Sequence, residues 1–276
     1  MKLQKDVKKE VSEIVFALIK YKNAEKIDIF INGEDLFFSN EIHQAIEDDG
    51  IAWDELRLID YSKKSLYDRD LQDFNIKKNK LDKYRVLSIK RYSYLKRKYN
   101  TMKIKINNLI SDDTSIPRDR SKKETPKQKR LRVEGNRPNL GNFKIIQEKS
   151  KLQSRPMYFV NLIKTREIAM YPIGYEGKQI SGRKALDIYS RIAYKYNNKH
   201  KNRFLIISDV KNTIADNTGT ETDWETFAIV KYQSLDSLIA FNSEPMFIKS
   251  FVHKDAGIDT TYVYASFSNN NKNAIG

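Results

Sequence analysis

The segment "FVHKDAGI" (251–258) contains one of only three histidines in the 276-residue chain. Because an imidazole titrates near neutral pH, His253 is a candidate catalytic residue that would accept or donate a proton. Gly257 is a helix stop signal, and it places His253 in the last turn of a helix, where a cation is stabilised by the helix dipole. The role of His253 therefore stays open between catalysis and a structural role, in which it closes the helix end or bonds across a dimer.

Asn161 is a polar residue in a strand-like and almost wholly apolar segment, residues 157–164. Alternation along a strand places it on the same side as Phe159 and Ile163, facing an apolar layer. An amide buried there without partners costs about 1–3 kcal/mol, so it must be hydrogen-bonded. Asn161 could orient a ligand carbonyl or bond to a neighbouring loop, and we predict it as a ligand-binding residue.

Three aromatic residues complete the predicted binding site. Trp224 and Tyr232 are eight residues apart in one predicted strand, so we expect them on one face, where they could form the wall of an aromatic pocket. Tyr189 lies on a predicted helix and offers a hydroxyl to a ligand. Packing in the core or in a dimer interface is the alternative role for all three residues.

The composition excludes several other chemistries. The chain has no cysteine, so it forms no disulfides and no thiolate metal sites. Its three histidines, His43, His200 and His253, are too scattered for a multi-histidine zinc site, and neither a nucleophile elbow nor a phosphate-binding glycine loop occurs. We therefore expect no metal and no cofactor. The apolar run at residues 14–18 is too short for a signal peptide or a membrane span, so we expect a cytoplasmic protein.

Charge divides the chain into parts. Residues 1–75 have 11 basic and 17 acidic residues, residues 76–151 have 24 and 7, and residues 152–276 have 16 and 12. The surplus of positive charge thus comes from the middle of the chain, which indicates a modular organisation. We predict four parts: a small acidic α/β unit (1–75), a basic helix and flexible linker (76–151), an α/β domain (152–268) and a disordered tail (269–276).

The pattern of the acidic unit predicts an α-β-α-β order. Residues 5–22 carry apolar residues at helical spacing, and residues 26–31 are typical of a strand. Residues 41–49 are predicted as a second helix that ends at Gly50, and residues 55–60 as a second strand.

The basic middle predicts a long helix from about residue 75 to 110 and a linker over residues 111–142. The helix is rich in Lys, Arg and Tyr, and the linker has three prolines and few large apolar residues. Such a segment could bind nucleic-acid phosphates through its cations while tyrosines stack on bases, or bind an acidic partner. The alternative is a solvated helix and tether.

The last 120 residues have the most regular pattern, β-α-β-β-α-β. This is the split βαβ order of ferredoxin-like domains, with four antiparallel strands and both helices on one face, and it defines the predicted fold class as α+β. The predicted strands cover residues 157–164, 203–210, 222–233 and 261–267. Ser181 is the predicted N-cap of the first helix, and the second begins at Ser234 and ends at Gly257.

Four segments of this part, in one order, resemble a bacterial domain-of-unknown-function family of the dimeric α/β-barrel superfamily. They are "RPMYFVNLIKTREIAMYP", "ISGRKALDIYSRIA", "DWETFAIVKYQSLDSLIAF" and "FVHKDAGIDTTYVY", within residues 155–267. The resemblance implies a homodimer in which two four-stranded sheets meet and enclose apolar pockets. The superfamily also contains cofactor-free monooxygenases, but the resemblance implies no particular reaction. Glu225 and Gln233 depart from the family pattern, which would have aspartate and proline there.

We therefore expect a small-molecule-binding protein, which as an enzyme would act without a cofactor on an apolar or aromatic compound in the barrel pocket. The alternative is a non-enzymatic dimeric scaffold that binds nucleic acid or an acidic partner through residues 76–151.

Overall fold

The computed structural model describes residues 13–47, 49–90, 124–134, 136, 144–148, 156–175, 179–220 and 223–267. The predictions for residues 5–12, for the end of the basic helix, for most of the linker and for the tail lie outside these ranges. In the described residues the strands are β1 (Glu13–Tyr21), β2 (Glu34–Ser39), β3 (Ile42–Ile46), β4 (Glu55–Tyr61), β5 (Leu81–Ile89), β6 (Met157–Thr165), β7 (Arg203–Asp216), β8 (Thr226–Tyr232) and β9 (Ile258–Ser266). The helices are α1 (Lys64–Lys77), α2 (Pro126–Arg132), α3 (Gly182–Lys199), α4 (Leu235–Asn242) and α5 (Pro245–Gly257), with single 3₁₀ turns at Lys22–Ala24 and Lys78–Lys80 and a helical stretch over residues 144–148.

All nine strands form one antiparallel sheet in the order β2-β4-β1-β5-β7-β8-β6-β9-β3. The last four strands follow the order β9-β6-β8-β7, and together with α3, α4 and α5 they form the β-α-β-β-α-β sequence of elements that the pattern predicts. The first strands follow the same spatial order, β5-β1-β4-β2, although no helix lies between β1 and β2. The fold is thus mixed α/β, with two ferredoxin-like strand orders in one large sheet.

The long strand β7 and the short link between β2 and β3 join the two halves of the sheet and close it. The first part of β7, Arg203–Asp209, pairs with β8, and its second part, Val210–Asp216, pairs with β5 of the other half. At the far ends, β2 pairs with β4 and β3 pairs with β9, yet only Asn40 and Glu41 separate β2 from β3. The sheet therefore closes into a barrel within one chain. The meeting of two four-stranded sheets, which the resemblance assigns to two copies, is made here by one.

Apolar side chains from both halves fill the barrel interior. Phe16 of β1 packs on Phe227 of β8, with ring centroids 5.1 Å apart, and Phe37 packs on Tyr158 at 5.0 Å. Outside the barrel, α1 covers the first half through the buried Phe74, while α3, α4 and α5 cover the second half. The helices of the second half thus lie on one side of their sheet, as predicted.

The N-terminal predictions are partly wrong. Residues 13–21 form β1 rather than the end of a helix, because Val15 to Ile19 are all buried between the barrel interior and α1. A strand that is buried on both faces has a continuous apolar run, and such a run also contains helical spacings. Residues 42–46 form β3 where a helix is expected, and residues 26–31 form no strand, whereas the predicted strand 55–60 is confirmed as β4.

The long basic helix is also wrong over its first part. α1 ends at Lys77, and residues 81–89 form β5, which pairs with β1 on one side and β7 on the other. Hydrogen bonding and burial between two neighbours override the helix propensity of this segment. Within the predicted linker, Thr125 caps the helix α2 in a capping box with Gln128.

Candidate functional site

The helix-side face of the central strand β6 is only partly covered. Val160 and Leu162 face the barrel interior and are fully buried, but Phe159, Asn161 and Ile163 on the opposite face are each partly exposed. A central strand with β8 and β9 on its two sides and a helix layer above it is expected to be buried on this face. The partial exposure shows that the helices do not cover this face of β6 completely.

A row of paired residues crosses the sheet at Asn161. Asn161 lies opposite Ala228 of β8 and Val263 of β9, and Ala228 in turn lies opposite Ile207 of β7. Paired residues of antiparallel strands point to the same side, so all four face the helix layer. Ala228 has a small side chain, and Ile207 is 44% exposed, so the row opens to solvent at β7. We call the space lined by Phe159, Asn161, Ala228 and Ile207 the helix-side groove.

Asn161 uses its amide nitrogen within the sheet. Its Nδ2 donates to the carbonyl oxygen of Phe159 at 2.9 Å and to that of Ala228 at 3.3 Å. These bonds fix the orientation of the amide, since only the nitrogen can donate. No hydrogen bond joins Oδ1 to a described residue, so this oxygen can accept a bond from a ligand donor. The predicted bond to a ligand carbonyl is thus not the one that this geometry favours.

A continuous set of aromatic rings borders the groove. Phe159 contacts Tyr232 at 5.0 Å between ring centroids, and the contacts continue through Phe241 and Phe247 to Tyr189 at 6.0, 4.0 and 5.7 Å. Offset and edge contacts of this kind stabilise rings beyond simple burial and provide flat apolar surfaces. The structure therefore brings the predicted residues Asn161, Tyr189 and Tyr232 to the same helix–sheet layer.

The two phenols of this layer are neutral groups. Burial raises the pKa of both Tyr189 and Tyr232 above the ordinary value of 10.0, and for Tyr189 the nearby Tyr232 and Asp255 add to the effect. A phenol that keeps its proton can donate or accept a hydrogen bond but is not a nucleophile at neutral pH. These hydroxyls suit ligand binding rather than covalent chemistry.

Trp224 lies on the other side of the sheet, so the expectation that it shares a face with Tyr232 is wrong. β8 begins only at Thr226, and the alternation of the strand does not extend back to residue 224. Trp224 packs in the barrel interior, where its ring lies 5.1 Å from that of Tyr262. Its Nε1 is buried and has no hydrogen-bond partner among the described residues.

His253 is 1% exposed and contacts a loop. Its Nδ1 lies 2.9 Å from the hydroxyl of Tyr171, and the two rings meet edge to face. The same loop is held to the end of α5 by bonds from the backbone nitrogens of Arg166 and Met170 to the carbonyl oxygens of Gly257 and Ala256. These contacts fit the packing role of His253, whereas its catalytic role stays a prediction.

A buried polar cluster inside the barrel is not predicted from the sequence, because Arg85 lies in the segment that is expected to form the long basic helix. Arg85 is fully buried; its Nε donates to Asp216 at 2.6 Å, and Nη1 donates to the Tyr264 hydroxyl at 3.1 Å. Nη2 donates to Thr218 at 2.8 Å and to Thr220 at 2.6 Å. With its donors occupied by protein groups, the guanidinium joins β5 of the first half to β7 and β9 of the second and is not free to bind a ligand.

A second opening, a polar cleft of about 670 Å³, lies where β6 ends and α3 begins. Its lining combines three cationic and three acidic side chains: Lys164, Arg166, Arg183, Glu167, Glu225 and Asp259. Glu225 faces this exposed cleft and accepts a hydrogen bond from the Thr165 hydroxyl at 2.5 Å. None of the five predicted site residues lines the cleft.

The described residues contain neither a metal-binding cluster nor a helix that could span a membrane. No group of three or more His, Asp or Glu side chains there is arranged to hold a metal ion. None of the helices in the described ranges has the length and apolar character that crossing a bilayer requires.

Comparison with known proteins gives distant structural similarity only. No family model matches the chain, and no curated protein matches it. Similar solved structures include a protein of unknown function from Rhodopseudomonas palustris (15% identity, TM-score 0.38, covering 44% of this chain and 90% of the other). They also include a predicted monooxygenase from Fusobacterium nucleatum (11%, TM-score 0.41, 94% and 93%) and a chlorite dismutase from Candidatus Nitrospira defluvii (10%, TM-score 0.37, 93% and 92%). At these identities and TM-scores we infer no activity from them.

Proposed function

We propose that the protein binds a small apolar or aromatic molecule in the helix-side groove. The observation that carries this proposal is the partial exposure of Phe159, Asn161 and Ile163 on a central strand beneath a helix layer. Pockets for small ligands are mostly apolar and aromatic, with a few polar groups that fix orientation. The groove has this composition.

Different groove residues contribute apolar contact and a hydrogen bond to the ligand. Phe159, Ala228 and Ile207 offer apolar surface, whose burial contributes about 25 cal/mol per Å². Asn161 Oδ1 accepts a hydrogen bond from a ligand hydroxyl or amine, and so selects apolar molecules that carry one donor. Since the barrel closes within one chain, we propose that a single chain is enough to form the groove.

The test is isothermal titration calorimetry with 1-naphthol, which offers a flat apolar ring system and one hydroxyl donor. The wild type is expected to bind it. Ala228→Phe replaces the smallest side chain of the groove by a large ring that fills the space, and it is expected to abolish binding. Asn161→Leu removes the acceptor and is expected to weaken binding about tenfold, the effect of one lost hydrogen bond of about 1.4 kcal/mol.

Ile76→Phe is the matched control, because it adds a phenylalanine at a residue of α1 that is 69% exposed. It is expected to bind like the wild type, and thermal unfolding confirms that each variant is folded. Equal affinity of the wild type and folded Ala228→Phe, or no binding by the wild type, would overturn the proposal.

A further inference from the structure

The polar cleft between the end of β6 and the start of α3 is lined by two charged side chains that do not pair with each other. Arg183 and Glu225 both line this cleft of about 670 Å³, and both are exposed. Arg183 forms its ion pairs with Asp209 at 3.3 Å and Asp187 at 3.9 Å, neither of which lines the cleft. Glu225 forms no ion pair with a described residue, so one cation and one anion of the cleft do not neutralise each other.

Buried threonine hydroxyls orient both charged groups. Arg183 Nη1 donates to the Thr226 hydroxyl at 2.6 Å, and Glu225 accepts from the Thr165 hydroxyl at 2.5 Å. The two threonines are 5% and 8% exposed, so they form a fixed base beneath the charges. Of the five N–H donors of the guanidinium, described residues occupy two, through Thr226 and Asp209. Both groups are therefore positioned before a ligand arrives, which lowers the entropy cost of binding.

The loop between β6 and α3 adds apolar surface to the same cleft. Ile168 and Met170 line it and are 55% and 47% exposed. The loop backbone is anchored on both sides, because the Met170 nitrogen donates to the Ala256 carbonyl oxygen and the Ala169 nitrogen to that of Ile180, both at 2.9 Å. Apolar side chains beside a few oriented polar groups are the usual composition of a small-molecule site. The cleft thus offers a ligand an apolar wall as well as charges.

The other charged side chains of the cleft leave it without a net charge. Arg166 pairs with Asp259 at 3.4 Å, and Lys164 and Glu167 have opposite charges. With three cationic and three acidic side chains in the lining, an ion of either sign meets both attraction and repulsion. A molecule that carries both charges can place its anion at the arginine and its cation at the glutamate, so electrostatic complementarity selects a zwitterion.

We propose that this polar cleft binds an apolar α-amino acid. The ligand carboxylate accepts hydrogen bonds from the Arg183 guanidinium, and the ligand ammonium group donates to the Glu225 carboxylate. Hydrogen bonds between charged groups of this kind are stronger than neutral ones. The apolar side chain of the ligand covers Ile168 and Met170. This inference stands apart from the proposed function, since none of the residues that line the helix-side groove lines the cleft.

The experiment is isothermal titration calorimetry of the full chain with L-phenylalanine at pH 7 in a buffer of low ionic strength. The wild type is expected to bind it. 3-Phenylpropanoate lacks the ammonium group and 2-phenylethylamine lacks the carboxylate, so each is expected to bind about tenfold more weakly or worse, the effect of one lost charged hydrogen bond. Binding of either compound as tight as that of L-phenylalanine, or no binding of L-phenylalanine, would overturn the proposal.

Variants assign the two charges to their residues. Arg183→Gln and Glu225→Gln each remove one charge, and each is expected to weaken the binding of L-phenylalanine about tenfold or more. Glu225→Gln is also expected to lose the preference for L-phenylalanine over 3-phenylpropanoate, which a general loss of structure would not produce selectively.

Arg191→Gln and Glu34→Gln are the matched controls, because they make the same changes at residues that do not line the cleft. Both are expected to bind L-phenylalanine like the wild type, and thermal unfolding confirms that each variant is folded. Wild-type affinity of folded Arg183→Gln or folded Glu225→Gln would overturn the proposal.

Discussion

Replacing Arg85 by methionine is expected to destabilise the protein severely. Methionine keeps much of the apolar stem but removes the guanidinium that Asp216, Tyr264, Thr218 and Thr220 surround. The Asp216 carboxylate, 2% exposed, would lose the cation 2.6 Å away and stay buried with only Thr218 as a donor. A buried charge left without its partner is the largest single cost in this change.

The size of the expected loss in unfolding free energy follows from the burial of the Arg85–Asp216 ion pair. Removing one member of a buried ion pair costs about 3–5 kcal/mol. Because Thr218 still donates to Asp216 through its backbone nitrogen and its hydroxyl, at 2.8 and 2.6 Å, we expect the lower part of that range, about 3 kcal/mol. The total free energy of unfolding of a domain is about 5–15 kcal/mol, so the loss is a large share of it.

Urea unfolding monitored by circular dichroism measures the effect, with Arg183→Met as the matched control. Arg183 pairs with Asp209 at 3.3 Å on the surface, and its loss is expected to cost at most about 1 kcal/mol. The double variant Arg85→Met/Asp216→Asn is expected to be more stable than the sum of its single changes implies, because the carboxylate nearest the lost guanidinium is gone and only Asp49, 3.7 Å from Arg85 in the wild type, remains. If Arg85→Met is as stable as Arg183→Met, the buried pair does not join the two halves energetically.

Three further outcomes are expected. Gly182→Ala places a Cβ against the carbonyl oxygens of Arg166 and Gly257, so it should lower the free energy of unfolding in urea by about 1–3 kcal/mol or more. An unchanged unfolding midpoint would contradict the close approach of α3 and α5. Tyr171→Phe removes the hydrogen bond to His253 and should cost about 1 kcal/mol, with an effect below 0.3 kcal/mol as the contrary result. Burial raises the pKa of Tyr171 from 10.0 to about 12, so the stability that the protonated phenol contributes is complete below pH 10 and is lost as the pH rises toward 12. The unfolding free energy of the wild type should therefore fall more between pH 10 and 12 than that of Tyr171→Phe. Parallel pH dependences of the two proteins would contradict this.

The C-terminal half could be predicted because its signals are local. Ser181 caps α3 by accepting a hydrogen bond from the Lys184 nitrogen at 3.2 Å, and Gly257 ends α5, as the sequence indicates. A short apolar run such as residues 157–164 is recognised as a strand by its length, and alternation then assigns its side chains to the two faces of the sheet. The placement of Asn161 on the helix side follows from the same alternation.

The first half could not be predicted in this way. β1 and β5 lie in the middle of the sheet and are buried by the barrel on one face and α1 on the other, so they lose the alternation that marks a half-exposed strand. The pairing of β7 with β5 joins residues more than 120 positions apart, and no local pattern reports it. For the same reason the role of Arg85 depends on contacts that only the closed barrel creates.

The start of β8 at Thr226 explains why Trp224, alone among the predicted strand residues of the site, lies on the barrel side of the sheet. The predicted third strand begins at residue 222 and includes Trp224, whereas β8 starts at Thr226. Alternation fails before the start of the strand, because the backbone there no longer rotates by half a turn per residue. Trp224 consequently belongs to the barrel interior.

Native mass spectrometry of the protein with added 1-naphthol tests the central claim most directly. It reports the number of chains and the number of bound molecules together. We predict one molecule of 1-naphthol on a single chain of the wild type and none on the folded Ala228→Phe variant. Equal occupancy of both proteins, or binding that requires two chains, would contradict a groove formed by one chain between its helices and its sheet.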